Sequence, residues 1–226
     1  MAEPAVVVGE SLRVLDLVGV VANGLLGGAV ARRYRLDPVG ISVLAVVSAL
    51  GGGAIRDVLL DLRPVALTDL AYLACALGAA AVAFLVPVEG RRWRRTFPYV
   101  DAVALGTWAV VGTDKALGVG VEVLPAILLG VITAVGGGTV RDVLLGQVPA
   151  IFQQGELYAT AALASGGTLV LLRALDVHTL APPVAAAVGM ALYLLARRRG
   201  WVLPIEPRWP RPDHMGKGVN RFRRWR

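Results

Sequence analysis

The sequence predicts an all-α polytopic membrane protein: seven transmembrane helices, arranged as two inverted three-helix repeats plus a seventh helix. Three observations predict it. Of 226 residues, 56% are hydrophobic and only 17% charged, with a mean hydropathy of +0.66; a soluble domain is roughly 45–50% apolar and about 25% charged. The charges cluster and leave apolar runs close to the ~20 residues that cross a bilayer as a helix. Finally, GGGAIRDVLL at residues 51–60 returns as GGGTVRDVLL at 136–145.

The expected spans are residues 12–31, 39–60, 66–86, 98–117, 122–145, 156–173 and 180–196, separated by short polar breaks such as RRYRLDP and EGRRWRRTFP. Basic residues favour cytoplasmic loops. Arg32, Arg33 and Arg35, then Arg91, Arg92, Arg94 and Arg95, then Arg197, Arg198 and Arg199 all fall on one side of a seven-span chain. The N-terminus is then expected outside and the C-terminus in the cytoplasm of a bacterial or archaeal cell, in the inner membrane. The start has no basic stretch or cleavage pattern of a removed signal peptide, so the first span is expected to act as its own insertion signal.

The repeated motif stands at an offset of 85 residues, and the register extends well beyond it. Asp16 falls on Asp101, Gly27 on Gly112, Asp37 on Glu122, Ser48 on Thr133 and Pro64 on Pro149. After one inserted residue, Tyr72 falls on Tyr158. The expected units are 10–96 and 97–178 as the two repeats, 179–199 as the seventh helix, and 200–226 as a basic tail. Three spans per copy turn the second copy upside down in the membrane, a plan that places function between the copies.

Three successive glycines weaken a helix by roughly 1 kcal/mol each relative to alanine. Gly51, Gly52, Gly53 and Gly136, Gly137, Gly138 therefore predict a kink or break whose freed carbonyls line a wet interior. Close helix packing is the alternative. Ser48 and Thr133, one turn earlier, are expected to satisfy a freed carbonyl or face a pore. Arg56, Asp57, Arg141 and Asp142 lie deep enough to need partners. Neighbours on a helix diverge by about 100°, so pairing is expected across the pseudo-dyad, Arg56 with Asp142 and Arg141 with Asp57. These charges either line an ion path or form structural bridges near the membrane surface. Asp16 and Asp101 are read as a cation-attracting vestibule or as helix caps. Lys115 breaks the symmetry of the repeat, because Val30 stands in its place in the first copy; it is a gate candidate or a snorkelling side chain.

Other classes are excluded on the same grounds. The net charge of +7 belongs to the tail, where ten Lys/Arg and two Asp/Glu follow from Arg197 onward, so no nucleic-acid surface is expected. The tail and the basic stretch Arg91–Arg95 suit an anionic lipid leaflet, with Trp201, Trp209 and Trp225 at headgroup depth; a solvated tail is the other reading. Cys75 is the single cysteine, and His178 and His214 lie far apart, so neither disulfide, metal site nor cofactor is expected. GGGxxRD lacks the GK[ST] ending of a phosphate loop. No His–carboxylate cluster, GxSxG or carboxylate pair points to an enzyme, and no catalytic residue is assigned.

The doubled GGGxxRD, each in the second helix of a three-span repeat, with a seventh span, resembles the prokaryotic trimeric intracellular cation (TRIC) channels. The same repeated domain is also known as a glycine transporter domain. The resemblance covers about residues 10–196 and implies a homotrimer in membrane lipid. It also implies one pore within each protomer, bounded by spans 1, 2, 4 and 5, with potassium as the permeant ion and the two glycine motifs at its centre. A secondary transporter of glycine or another small solute is the alternative, since inverted repeats with broken helices suit it equally.

Overall fold

The computed structural model describes residues 4–86, 90–152 and 157–202, without the side chains of 4–8, 11, 92 and 94. Every element in it is helical: α1 (Pro4–Arg33), α2 (Pro38–Leu59), the one-turn α3 (Val65–Thr68), α4 (Leu70–Leu85), α5 (Gly90–Gly118), α6 (Val123–Leu144), α7 (Tyr158–Ala174) and α8 (Ala181–Arg199), with a 3₁₀ turn at Ala150–Phe152. Among the described residues, three stretches are long and apolar enough to cross a membrane by themselves: Leu12–Arg33, Pro38–Leu59 and Val123–Leu144. The helices α4 and α7 are shorter, 16 and 17 residues.

Local chemistry sets the boundaries. Pro38 opens α2, and Asp37 caps it by accepting the Gly40 N–H at 2.7 Å, because the first turn of a helix leaves its N–H groups unpaired. Asp69 caps α4 through the Ala71 N–H at 3.0 Å, which starts the third span at Leu70 rather than at 66. The helices α2 and α6 end alike. The Leu62 N–H returns to the Asp57 carbonyl and the Gln147 N–H to that of Asp142, both at 2.8 Å. Asp61 (φ 54°) and Gly146 (φ 67°) make the left-handed turn between. Left-handed residues recur in this way elsewhere: Arg35 with Gly120 at an offset of 85, and Gly90 with Asp176 at 86.

Two further expected boundaries move. EGRRWRRTFP is no loop from Gly90 onward, because α5 runs unbroken to Gly118 with Pro98 inside it. Its basic residues ride on the first turns of the helix; arginine is a good helix former. The first helix also reaches back to Pro4, well ahead of residue 12. Most of the tail, with Trp209 and Trp225, lies outside the described residues.

Helix α1 packs on α2, α4 and α5, and α5 on α6, α7 and α8, while α2 crosses α6 and α7 lies along α8. Small residues make these contacts. Ala45, Ala49, Ala76, Ala109, Ala134, Ala161, Ala162 and Ala185 are buried, while Val14, Val18, Leu77, Phe84 and Leu171 face outward. Alanine inside and large aliphatics outside is the pattern of helices that associate by close approach in lipid.

Candidate functional site

The glycine motifs meet at the centre of the fold, where α2 crosses α6. A Cβ on Gly52 would run into the carbonyl oxygen of Thr133, and one on Gly137 into that of Ser48. The α-carbons of Gly137 and Gly52 lie 3.4 and 3.0 Å from the Cβ positions of Gly51 and Gly136. Ser48 thus faces Gly137 while Gly52 faces Thr133, so the helices run in opposite senses at the crossing. The contacts exchange on adding or subtracting 85.

Of the kink or break expected at the glycines, the break is absent. Both helices remain α-helical through residues 51–53 and 136–138, and none of these glycines has a positive φ. They act by removing side-chain bulk, so backbone lies on backbone; this is the packing alternative. Ser48 and Thr133 are fully buried at the contact. The Thr133 hydroxyl turns back to the Leu129 carbonyl at 2.7 Å. The Ser48 carbonyl accepts the Asn23 amide at 2.8 Å, and the Ser48 hydroxyl faces Asn23 Oδ1 at 3.4 Å.

The charged motifs also pair differently from expectation. Arg56 Nε donates to Asp57 Oδ1 at 2.8 Å, and Arg141 to Asp142 Oδ1 at 2.9 Å from Nε and 2.8 Å from Nη2. Each arginine curls back to its own neighbour. The reason is that each aspartate is anchored at its helix end: Asp57 Oδ2 accepts the Val65 N–H at 2.9 Å, and Asp142 Oδ2 the Ala150 N–H at 3.2 Å. Lys115 joins only the first pair, with Nζ 2.7 Å from Asp57 Oδ1, and so ties α5 to the end of α2. Its neighbour Asp114 pairs with Arg173 of α7.

Asp16 and Asp101 lie inside helices and cap nothing. Asp16 accepts the Tyr72 hydroxyl at 2.9 Å. Asp101 accepts that of Tyr158 at 3.1 Å and that of Tyr193, from α8, at 2.8 Å. A buried carboxylate needs such donors.

These groups border two cavities, one on each side of the crossing. The wide one, about 360 Å³, is lined by Asn23, Phe97, Asp101, Ala134, Gly138, Thr139, Arg141, Asp142, Tyr158, Tyr193 and Arg197. The narrow one, about 10 Å³, is lined by Asp16, Val20, Ala49, Gly53, Ala54, Arg56, Tyr72 and Trp108. The wide cavity can hold a hydrated ion or a small solute among carboxylates, hydroxyls and an amide. The narrow one has room for about one water. Of the residues expected to carry function, Asp101, Gly138, Arg141 and Asp142 border the first, and Asp16, Gly53 and Arg56 the second. Asn23, Tyr158, Tyr193, Arg197 and Trp108 were not anticipated. An amide in mid-span is itself a signal, and so is the mismatch of Asn23 with Trp108 at the repeat offset.

Comparison with known proteins adds kinship. The family model described as glycine transporter matches twice, at residues 13–87 and 98–174. A UPF0126 membrane protein of Deinococcus radiodurans is 38% identical, over 87% of this chain and 92% of the relative. The UPF0126 inner membrane protein YadS of Escherichia coli K12 is 37% identical, over 81% and 88%. The TRIC trimeric intracellular cation channel orthologue from Rhodobacter sphaeroides superposes with a TM-score of 0.75 at 34% identity, covering 84% of this chain and 96% of that one. A prokaryotic TRIC channel solved in 0.5 M KCl gives a TM-score of 0.78 at 29% identity, covering 86% and 99%. The structural kin of this chain are channels and not enzymes.

Proposed function

Because the chain belongs to the UPF0126 membrane-protein family, whose repeated domain is described as glycine transporter, we propose that it is a cation channel with its path inside the single chain. The path passes the α2–α6 crossing, from the wide cavity on one side to the narrow one on the other. The observation that carries this reading is the pair of cavities at the glycine contact, each bordered by an aspartate, an arginine and a tyrosine at equivalent repeat positions, in a fold shared with TRIC cation channels. Asp101 and Asp142 draw cations to the wide side. Asp16 and Asp57 do so on the narrow side, where Lys115 competes with the ion for Asp57. Potassium is the proposed permeant ion, and no cofactor takes part.

We further place the chain in the cell membrane as a homotrimer, the state in the name of its Rhodobacter relative. The N-terminus is outside, the arginine-rich helix ends are cytoplasmic, and the divisions are 10–96, 97–178 and 179–199. The wide cavity, beside Arg197, then faces the cytoplasm. Anionic lipid is the proposed neighbour of the basic helix ends and tail.

The second reading, a transporter of glycine or another small solute, is favoured by the family description and by an interior that is wide on one side only. One experiment separates them. Purified protein in a planar bilayer is tested for unitary potassium currents, and in liposomes for glycine uptake, in wild type and in Thr139→Cys on a Cys75→Ala background. Unitary currents that fall when a cationic thiol reagent modifies position 139, without saturable glycine uptake, are expected. Saturable uptake without currents overturns the channel.

A further inference from the structure

The two cavities are one site written twice. At an offset of 85, Asp16, Ala49, Gly53 and Arg56 of the narrow side become Asp101, Ala134, Gly138 and Arg141 of the wide side, and at 86 Tyr72 becomes Tyr158. The same operation carries Asn23, on the wide side, onto Trp108, on the narrow side. So α1 offers the wide cavity an amide where α5 offers the narrow cavity an indole. The volumes are about 360 and 10 Å³.

We infer that Trp108 is the plug that holds this half of the interior shut, and that Asn23 in the same repeat position leaves the other half open. The inference rests on the reading of the interior as a pathway. The indole is 1% exposed and is seated by the absence of a side chain on Gly19, whose Cβ position lies 2.5 Å from Trp108 Nε1 and 2.8 Å from Cδ1. The closed half also contains an unmet demand. Arg56 Nη1 is buried without a hydrogen-bond partner, and its side chain is 1% exposed. Its counterpart Arg141 is 13% exposed and borders the wide cavity. A buried cationic nitrogen without a partner disfavours the closed arrangement and is relieved when water enters. Lys115 ties the same half together from the helix end, but Trp108 lies among Val20, Ala49 and Leu105 in the apolar core, where only a bulky apolar group excludes water.

The test is accessibility, which needs no current. In full-length protein carrying Cys75→Ala, Ala49→Cys reports on the narrow side and Thr139→Cys on the wide side, with a small cationic methanethiosulfonate as probe. Position 139 is expected to react and position 49 to stay silent. Adding Trp108→Asn is expected to make position 49 react at a rate approaching that of position 139, with position 139 unchanged. Trp108→Phe, which keeps an apolar ring, is expected to leave position 49 protected. Monodisperse elution and unchanged labelling at 139 show that the variants are folded. Protection of position 49 in a folded Trp108→Asn protein overturns the plug, as does full reactivity of position 49 with Trp108 in place. A protein that conducts no potassium but gains labelling at 49 keeps the plug and loses the channel, so the two failures are distinct.

Discussion

Arg56 and Arg141 occupy the same step of their repeats and hold the same kind of partner, yet their surroundings differ. The Arg56–Asp57 pair is 1% and 0% exposed, the Arg141–Asp142 pair 13% and 14%. Arg56→Ala takes one charged hydrogen bond from a fully buried carboxylate and leaves Lys115 as its charge partner, so it is expected to lower stability by about 1.5–3 kcal/mol. The second pair borders the wide cavity, and Arg141→Ala is expected to cost less, about 1 kcal/mol. Thermal unfolding in detergent compares them, and equal losses contradict the burial argument. A second pair of positions tests backbone strain. Gly146 has open space around its Cβ position but a positive φ, so Gly146→Val is expected to cost about 1–2 kcal/mol from the left-handed conformation alone. At Asp61 the same turn already carries a side chain. There Asp61→Gly relieves strain but adds freedom to the unfolded chain, and the melting temperature is expected to stay nearly constant.

At the scale of the helices, the glycine run divides into residues that make the crossing and residues that do not. Gly52 and Gly137 lie against backbone carbonyls, whereas Gly53 and Gly138 meet only an arginine Nη2 at 3.6 Å. Alanine at 52 or 137 forces α2 and α6 apart and is expected to lose about 1–3 kcal/mol. Alanine at 53 or 138 is expected to be neutral or to gain up to about 1 kcal/mol through helix propensity. If all four variants behave alike, close approach is not what the glycines provide.

For the whole molecule, the two halves are built on one plan and closed to different degrees. Lys115 and Trp108 both belong to α5, and their repeat counterparts on α1 are Val30 and Asn23. Under the proposed channel reading, Lys115→Ala removes the lysine that competes for Asp57 and is expected to raise the open probability in planar bilayers, while Lys115→Arg keeps the wild-type level. A current unchanged by Lys115→Ala would show that the Asp57 bridge is structural. The proposed orientation is tested on the same scale: a reporter fused after Arg226 is expected on the cytoplasmic side.

Much of this protein is legible in its sequence. Hydropathy alone marks the membrane class, because a bilayer demands apolar length and three stretches among the described residues, Leu12–Arg33, Pro38–Leu59 and Val123–Leu144, supply it by themselves. The offset of 85 residues is also legible, since it needs only the comparison of one half of the chain with the other. The ends of α2 and α6 are local too, and lie within one residue of the expected spans 39–60 and 122–145. What only the tertiary structure decided concerns groups from helices far apart in the chain. The glycines pack instead of breaking their helices, because each finds a carbonyl of the opposite helix at its surface. The arginines curl back to their own aspartates, because the Val65 and Ala150 N–H groups hold those carboxylates at the helix ends. Asp16 and Asp101 bind tyrosines from α4, α7 and α8 instead of capping α1 and α5. Which half is closed depends on an indole seated over Gly19. No stretch of sequence holds that information, because closure is a property of side chains meeting across helices, and their meeting is set by the packing of the whole bundle.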